Sequence, residues 1–240
     1  MQMVRRGDPI PEVAGPIIVC TRNDSLDGIV DSVPADRRSD LVFLQNGMLE
    51  PWLQRRGLTD VTQVLIYFAV AKLGDAPTDG VTDLNPEGLT AACGKHAEAF
   101  AARLRRAGLA CHVLPPPQFR ASMLEKLIWI SAFMLVGAAH PGASVGDVER
   151  SHRPEVCALI AELAAGAAAA TGAEFAPQLA ERLCAYARSV AHFPTAVKEF
   201  EWRNGYFWSL SQAAEAAGKP DPFPLHTHLL RAVNAVPATK

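Results

Sequence analysis

Short apolar runs and amphipathic stretches alternate in the first half of the chain. Four runs have the length and bounding polar or turn residues expected of buried strands, at residues 17–20, 41–44, 64–70 and 109–114. Residues 25–33 predict a helix with Asp24 or Ser25 as its N-cap, and residues 91–107 predict a longer one. The pattern indicates an α/β domain in which residues 41–44 form a buried parallel strand.

The pattern changes at Pro115-Pro116-Pro117, which we expect to interrupt regular structure and to mark a domain boundary. Beyond the prolines, Ala, Leu and Glu recur at helical spacing. Five helices are predicted there, at residues 119–139, 154–171, 176–191, 195–217 and 225–235. The chain is therefore predicted to consist of an α/β domain, residues 1–116, and an all-α domain, residues 117–240.

Composition narrows the classes of protein to consider. The chain has 240 residues, 49% of them hydrophobic and 20% charged, with a net charge of −2, as in ordinary soluble globular proteins. This charge offers no broad basic surface, and the apolar stretch 127–139 is shorter than the roughly 20 residues that span a bilayer. We expect neither a nucleic-acid partner nor a membrane partner.

The cysteines and the N-terminus bear on the compartment. The five cysteines have no Cys-x-x-Cys spacing, as expected of buried thiols in a reducing compartment. No apolar segment follows the basic residues at the N-terminus, so no secretory signal is predicted. We expect a cytoplasmic protein, with an organelle still open if an upstream segment is missing.

Polar residues end the apolar run 41–44 abruptly. Gln45-Asn46-Gly47 follows it directly, at the place where a parallel strand delivers side chains to the carboxyl edge of its sheet. Open α/β folds bind their ligands at that edge. The junction predicts a small-molecule site.

Lys126 stands where the start of a predicted helix becomes almost wholly apolar. A lysine in such surroundings can lose solvent, acquire a lowered pKa and donate a proton to a carbonyl oxygen. The alternative is a lysine whose stem packs on apolar surface while its ammonium reaches water.

A second polar group lies among aromatic residues at positions 198–208. Glu199 and Arg203 are four residues apart and can form an ion pair on one helical face. The surrounding aromatics also fit a partly buried polar patch that contacts a ligand. Both interpretations remain open from the sequence.

Two further patterns predict no chemistry. His226 and His228 point to different sides of a helix, and no metal site is expected there. Residues 142–146 match the Gly-x-Ser-x-Gly pattern of hydrolases, but a helix rather than a strand precedes them. We expect an interhelical loop.

Taken in order, residues 15–210 resemble the ketopantoate reductases, or 2-dehydropantoate 2-reductases, whose helical domain is of the 6-phosphogluconate-dehydrogenase type. The resemblance implies an incomplete Rossmann-like domain followed by that helical domain. It also implies NADP-dependent reduction of a 2-keto acid or related carbonyl compound. The segment around Lys126 is similar to the family's helix whose lysine protonates the substrate ketone, so Lys126 is the implied general acid.

The same resemblance suggests further site residues. Asn46 and Gly47 look like the family's Asn-Gly element near cofactor and substrate, and Arg22 falls where the family has a lysine near both. Glu199 and Asn204 are similar to a substrate-holding glutamate and the asparagine after it. Ser189 matches a substrate-binding serine once a short gap is allowed.

Three departures modify this expectation. Ile130 and Met134 replace family asparagines, which favours a more apolar carbonyl substrate. No Gly-x-Gly-x-x-Gly turn occurs in the 240 residues, so either the cofactor-binding N-terminus is missing or dinucleotide binding has been lost. The second case makes the chain a non-catalytic ligand-binding or assembly protein. An uncovered sheet edge or apolar face would favour a homodimer.

Overall fold

Short strands and helices alternate in the first half of the chain, of which the computed structural model describes residues 2–5, 7–69, 74, 77 and 79–237. The elements in chain order are β1 (Ile17–Val19), α1 (Leu26–Ser32), β2 (Leu41–Phe43), α2 (Glu50–Arg55), β3 (Thr62–Leu65), β4 (Ala91–Cys93), α3 (Ala97–Arg106) and β5 (His112–Val113). The five strands form one sheet in sequence order. Neighbouring strands are parallel except for β3 and β4. The predicted α/β half and its buried parallel strand β2 are confirmed.

Helices make up the second half. They are α4 (Pro116–Ala139), α5 (Val145–Ser151), α6 (Arg153–Thr171), α7 (Leu179–Ser189), α8 (Asn204–Ala216) and α9 (Pro224–Ala232). A 3-10 turn, Phe200–Trp202, precedes α8. Helix α4 is central, because it packs against α5, α6, α7, α9 and strand β4. Its burial explains why its sequence is apolar on nearly every side.

The predicted helix over residues 91–107 is wrong at its beginning. Ala91–Cys93 form β4, antiparallel to β3, and Gly94 at φ +114° separates this strand from α3. Pairing in the sheet outweighs the helix propensity of alanine. The predicted strand over 64–70 begins earlier, at Thr62, and its last residue, 70, lies outside the described residues.

The proline run does not interrupt regular structure as predicted. Helix α4 starts at Pro116, directly after Pro115. The first turn of a helix has no intrahelical acceptors for its N–H groups, so prolines there cost nothing and their φ suits the helix.

The predicted helix over residues 195–217 is also wrong, because it is two elements. Glu199 has φ +47° before the 3-10 turn, and Arg203 separates that turn from α8 with φ −121° and ψ −99°. Helices α2 and α5 were not predicted. They have six and seven residues, too few for a clear apolar period.

One apolar cluster crosses from the sheet half into the helical half. Met48, Leu65, Tyr67 and Ala91 belong to the same buried cluster as the residues of α4. Two smaller clusters lie on either side of β2, one against α1 and α2 and the other against α3. The carboxyl ends of the parallel strands are thereby held close to α4.

Within the described residues, α4 and α6 are long and apolar enough to cross a bilayer. Within the most apolar window of each helix, 72% of α4 and 28% of α6 is buried inside the chain. For α4 this is the environment of a core helix, as predicted for residues 127–139.

Candidate active site

Lys126 lies at the junction of the two halves, on the face of α4 that packs against the sheet. Only 6% of the residue is exposed. Its Nζ donates a hydrogen bond to the carbonyl oxygen of Ile66, just after β3, and lies 4.7 Å from the centroid of the Tyr67 ring. The carbonyl dipole and the ring face are both electron-rich, so they hold the ammonium without neutralising it.

Burial sets the acidity of this group. Loss of solvent, and secondarily the positive charge of Arg203, lowers the pKa of Lys126 to about 7. Of the two interpretations offered by the sequence, the geometry matches the desolvated lysine, because the ammonium points inwards. At neutral pH both protonation states are populated, which suits proton transfer.

The segment after β2 forms the opposite wall of this junction. The Gln45 side chain donates to the carbonyl oxygens of Val19 and Thr21, at 2.9 and 3.0 Å, and so ties the ends of β1 and β2 together. The Met48 amide donates to the Trp202 carbonyl oxygen at 2.7 Å. This loop therefore connects the sheet edge to the turn before α8.

Gly47 is required by that connection. Its φ of +105° lies in the left-handed region, and a Cβ there would overlap the Trp202 carbonyl oxygen. The preference for glycine thus comes from close backbone packing within the chain. A small cavity of about 20 Å³, room for one water molecule, lies beside it and is lined among others by Gln45, Gln63, Met123 and Lys126.

Comparison with known proteins bears first on the fold. A D-mandelate dehydrogenase solved with NADH and anilino(oxo)acetate is 14% identical, with a TM-score of 0.65 over 94% of this chain and 77% of that one. A ketopantoate reductase from Ralstonia eutropha JMP134 is 17% identical, with a TM-score of 0.65 over 92% and 76%. A 2-dehydropantoate 2-reductase from Geobacter metallireducens GS-15 is 17% identical, with a TM-score of 0.62 over 92% and 78%.

The chain has the fold of the ketopantoate reductases. The predicted architecture, a Rossmann-like domain followed by a helical domain, is confirmed by these neighbours. No protein-family model matches the sequence, and no curated protein matches it either. The likeness is therefore one of structure at low sequence identity.

Glu199 and Arg203 form the ion pair that their spacing suggested, although no helix carries it. The Arg203 Nη2 donates a hydrogen bond to Glu199 Oε2. The Arg203 side chain is 15% exposed and the Glu199 side chain 24%. The Arg203 Nε is buried and has no hydrogen-bond partner among the described residues. The sequence left open whether Arg203 pairs with Glu199 or contacts a ligand, and it gave no sign that the charge of Arg203 lowers the pKa of Lys126.

Two residues assigned by resemblance lie at the end of β1 and β2. Arg22 follows β1, is 78% exposed at its side chain, and pairs with Asp24 at 3.3 Å. The Asn46 carbonyl oxygen accepts a hydrogen bond from Asn23 at 3.1 Å, while its side chain stays partly exposed at the sheet edge. Both residues lie at the carboxyl edge of the parallel strands, where open α/β folds bind their ligands.

The other two assigned residues make internal contacts. Asn204 is 1% exposed, and its Oδ1 lies 2.9 Å from Nε2 of His226, whose pKa is lowered to about 4 by burial. Ser189 Oγ donates to the Tyr186 carbonyl oxygen at 2.8 Å within the last turn of α7. The structure brings neither side chain to the cavity beside Lys126.

The Tyr67 ring beside the buried ammonium belongs to a group of packed aromatic side chains. The rings of Tyr67 and Tyr186 are 4.8 Å apart, and Trp129 lies 4.7 Å from Tyr186 in an edge-on contact. Ile130, one of the two departures from the family pattern, is 5% exposed in the same core. The surroundings of Lys126 combine these apolar side chains with the polar Gln45 and Gln63 of the cavity.

Ser144 has a structural position instead of a nucleophilic one. It precedes α5 as the N-cap, and its side chain and that of Asp147 form a reciprocal capping box. The Ser144 Oγ donates to Asp147 Oδ2 at 2.7 Å. The Gly-x-Ser-x-Gly match therefore marks the start of a short helix.

Proposed function

We propose that this chain belongs to a nicotinamide-dependent oxidoreductase that reduces the carbonyl group of a 2-keto acid. The single observation that carries the proposal is the Lys126 ammonium, buried between α4 and the end of β3 with a pKa of about 7. Among the described residues no carboxylate pairs with this cation, and an unpaired buried cation is costly for folding, so it needs a compensating role. Donating a proton to a developing alkoxide is such a role.

The proton step uses groups that the chain supplies. Lys126 donates a proton to the substrate carbonyl oxygen, and the nicotinamide supplies the hydride to the carbonyl carbon when bound. The Ile66 carbonyl oxygen and the Tyr67 ring keep the amine directed at the junction after the proton has left. The positive charge of Arg203 favours the neutral amine, which makes Lys126 a stronger acid.

Arg203 is our candidate for holding the substrate carboxylate. Its buried Nε has no partner among the described residues, and a guanidinium binds a carboxylate through parallel hydrogen bonds. Glu199 already holds one edge of the guanidinium and so fixes its orientation. We further propose that Glu199 contacts the hydroxyl group that forms from the ketone.

The apolar core at this junction favours a substrate with an apolar side chain. Ile130 and Met134 stand where the family that the chain resembles has hydrogen-bonding asparagines, and the buried Tyr67, Trp129 and Tyr186 lie in the same apolar core. The neighbouring D-mandelate dehydrogenase was solved with anilino(oxo)acetate, which combines a phenyl group with a carboxylate. An aryl 2-keto acid is therefore the first substrate to test.

The cofactor side fits only in part. Arg22, Asn46 and Gly47 would stand near the nicotinamide end, at the carboxyl edge of the parallel strands. The 240 residues contain no Gly-rich turn to hold a pyrophosphate, so those contacts would have to come from elsewhere. We propose NADP in a cytoplasmic enzyme. The non-catalytic binding role is the alternative if no dinucleotide binds.

The first experiment measures reduction of phenylglyoxylate and of ketopantoate with NADPH and with NADH. Lys126→Ala should lower the turnover by roughly 10²-fold or more, because the general acid is lost. Lys219→Ala removes an exposed lysine of α8's C-terminal loop and should leave turnover unchanged. Equal rates in the Lys126→Ala variant and the parent would remove this residue from the mechanism.

The second experiment separates an enzyme from a cofactor-free protein. The 240-residue chain is titrated with NADPH while the nicotinamide fluorescence is followed. Saturable binding supports the oxidoreductase. Lack of binding by a chain that is folded by circular dichroism supports the binding or assembly role.

A further inference from the structure

We infer that His140, His152 and Glu155 form a binding site for a divalent transition-metal ion of the zinc type. The three residues come from three places in the helical half. His140 follows the last turn of α4, His152 separates α5 from α6, and Glu155 lies in the first turn of α6. The fold of α4 onto α5 and α6 brings them together.

Their geometry is close to that of a ligand set. The possible ligand atoms all lie within 4.8 Å of one another. His140 Nε2 is 2.7 Å from Glu155 Oε2, and the two imidazole rings stack with centroids 3.6 Å apart. Bonds of about 2.0–2.2 Å to one ion require the three ligand atoms to lie slightly closer together than the 4.8 Å limit of this cluster. Turning the two rings, so that a nitrogen of each faces a common point, supplies the difference.

The donor chemistry selects the class of ion. Two imidazole nitrogens and one carboxylate oxygen suit Zn²⁺, Co²⁺ and Ni²⁺, whereas Mg²⁺ and Ca²⁺ prefer oxygen ligands alone. In the ion-free chain a hydrogen bond joins His140 Nε2 and Glu155 Oε2 directly. The side chains of these two residues are 37% and 32% exposed, so water can complete the coordination.

The surrounding charges permit a cation. Arg150 is paired with Asp147, and Arg153 is paired with Glu149 and Glu181, so neither guanidinium is left to repel an ion. The C-termini of α4 and α5 lie at the cluster, at His140 and His152, and the N-terminus of α6 begins there too, with Glu155 in its first turn. Helix C-termini carry partial negative charge and favour a cation nearby.

This site is separate from the proposed reaction. His140 directly follows α4 and comes 14 residues after Lys126. This separation corresponds to about 21 Å along the helix axis. An ion there cannot touch the carbonyl group. It would brace the end of α4 against the α5–α6 junction.

Isothermal titration with ZnCl₂ tests the inference. We would use a Cys20→Ser background, because the exposed Cys20 thiol is a competing zinc ligand. His140→Ala, His152→Ala and Glu155→Gln each remove one ligand. His228→Ala and Glu174→Gln, at exposed positions, are the matched controls. Glu155→Gln keeps the shape and the acceptor facing His140, so it remains informative if a histidine variant fails to fold.

The inference requires one Zn²⁺ per chain in the background protein. Each ligand variant that folds should bind at least about 10-fold more weakly, since even second-shell changes cost that much. Thermal unfolding should shift upward with ZnCl₂ in the background and in the controls, but not in the ligand variants. No saturable binding, or equal binding in Glu155→Gln, overturns it.

Discussion

At the scale of single residues, the most informative side chain is Lys126. Its ammonium has a carbonyl oxygen and an aromatic ring as close partners, and its pKa falls to about 7 because it is buried. Such an arrangement lowers the stability of the fold while it prepares a proton donor. The two effects make separate predictions.

The first prediction concerns the rate. A general acid works in its protonated form, so carbonyl reduction should be fastest below a pH of about 7. Above that value kcat/KM should fall about tenfold per pH unit, since one proton is lost. The measurement is a pH profile of phenylglyoxylate reduction. A flat profile between pH 6 and pH 9 would show that the titrating group is not Lys126.

The second prediction concerns stability. The pKa of Lys126 is about 7 in the folded chain and near its ordinary value of 10.5 when unfolded. The cost of burying the charge is therefore full below about pH 7 and disappears as the pH rises towards 10.5. Lys126→Met should raise the free energy of unfolding by about 1–4 kcal/mol at pH 6. Loss of the lysine's contacts with Ile66 and Tyr67 reduces this gain.

Denaturant unfolding of the parent and of Lys126→Met at pH 6 and at pH 9 measures this gain. The gain should be smaller at pH 9, where the folded parent no longer carries the charge. A Met variant that is less stable than the parent at both values would indicate a lysine that reaches solvent.

At the scale of elements, the contact between the loop after β2 and the turn before α8 connects the two walls of the site. It consists of the Met48–Trp202 backbone hydrogen bond, the close approach at Gly47, and the edge-on contact of Trp52 with Trp202 at 6.1 Å. Gly47 is the position where one added methyl group would separate them.

Gly47→Ala should lower the free energy of unfolding by about 2 kcal/mol or more, because it adds strain at a positive φ and a clash with Trp202. The control is Gly28→Ala, which sits in α1 with open space at its Cβ. This control should gain about 0.4–1 kcal/mol. Urea unfolding of both variants tests the pair, and equal effects of the two substitutions would contradict it.

The sequence predicts some elements of the site better than others. The strand β2, its Gln45-Asn46-Gly47 end and the long α4 with Lys126 follow from local apolar runs, which a single sequence records well. The turn at Glu199 and Arg203 does not, because Trp202 within it packs against Gly47, which lies far away along the chain. The free Nε of Arg203 follows from the same turn.

At the scale of the whole molecule, long-range contacts decide what the sequence leaves open. The residues His140, His152 and Glu155 meet only because α4, α5 and α6 pack together. Asn204 likewise reaches His226 across two helices. Spacing along the chain gives no sign that His140 meets His152 and Glu155, or that Asn204 meets His226, since these residues lie on different elements.

Assembly is a further property at this scale. In the described sheet β1 has a neighbouring strand on one side only, and its residues Ile17 and Ile18 are partly exposed. Edge strands of this kind pair readily with a second copy. We predict a homodimer, with a mass by light scattering of twice the 25.8 kDa of the chain. A single monomeric species at all concentrations would count against it.

The apolar cluster shared by the two halves restricts how such a protein could have been assembled during evolution. Met48, Leu65, Tyr67 and Ala91 cover α4 from the sheet side. A genetic exchange that joined this helical half to a different α/β half would expose α4 unless the newcomer carried matching side chains at all four places. The two halves are therefore expected to have been inherited together.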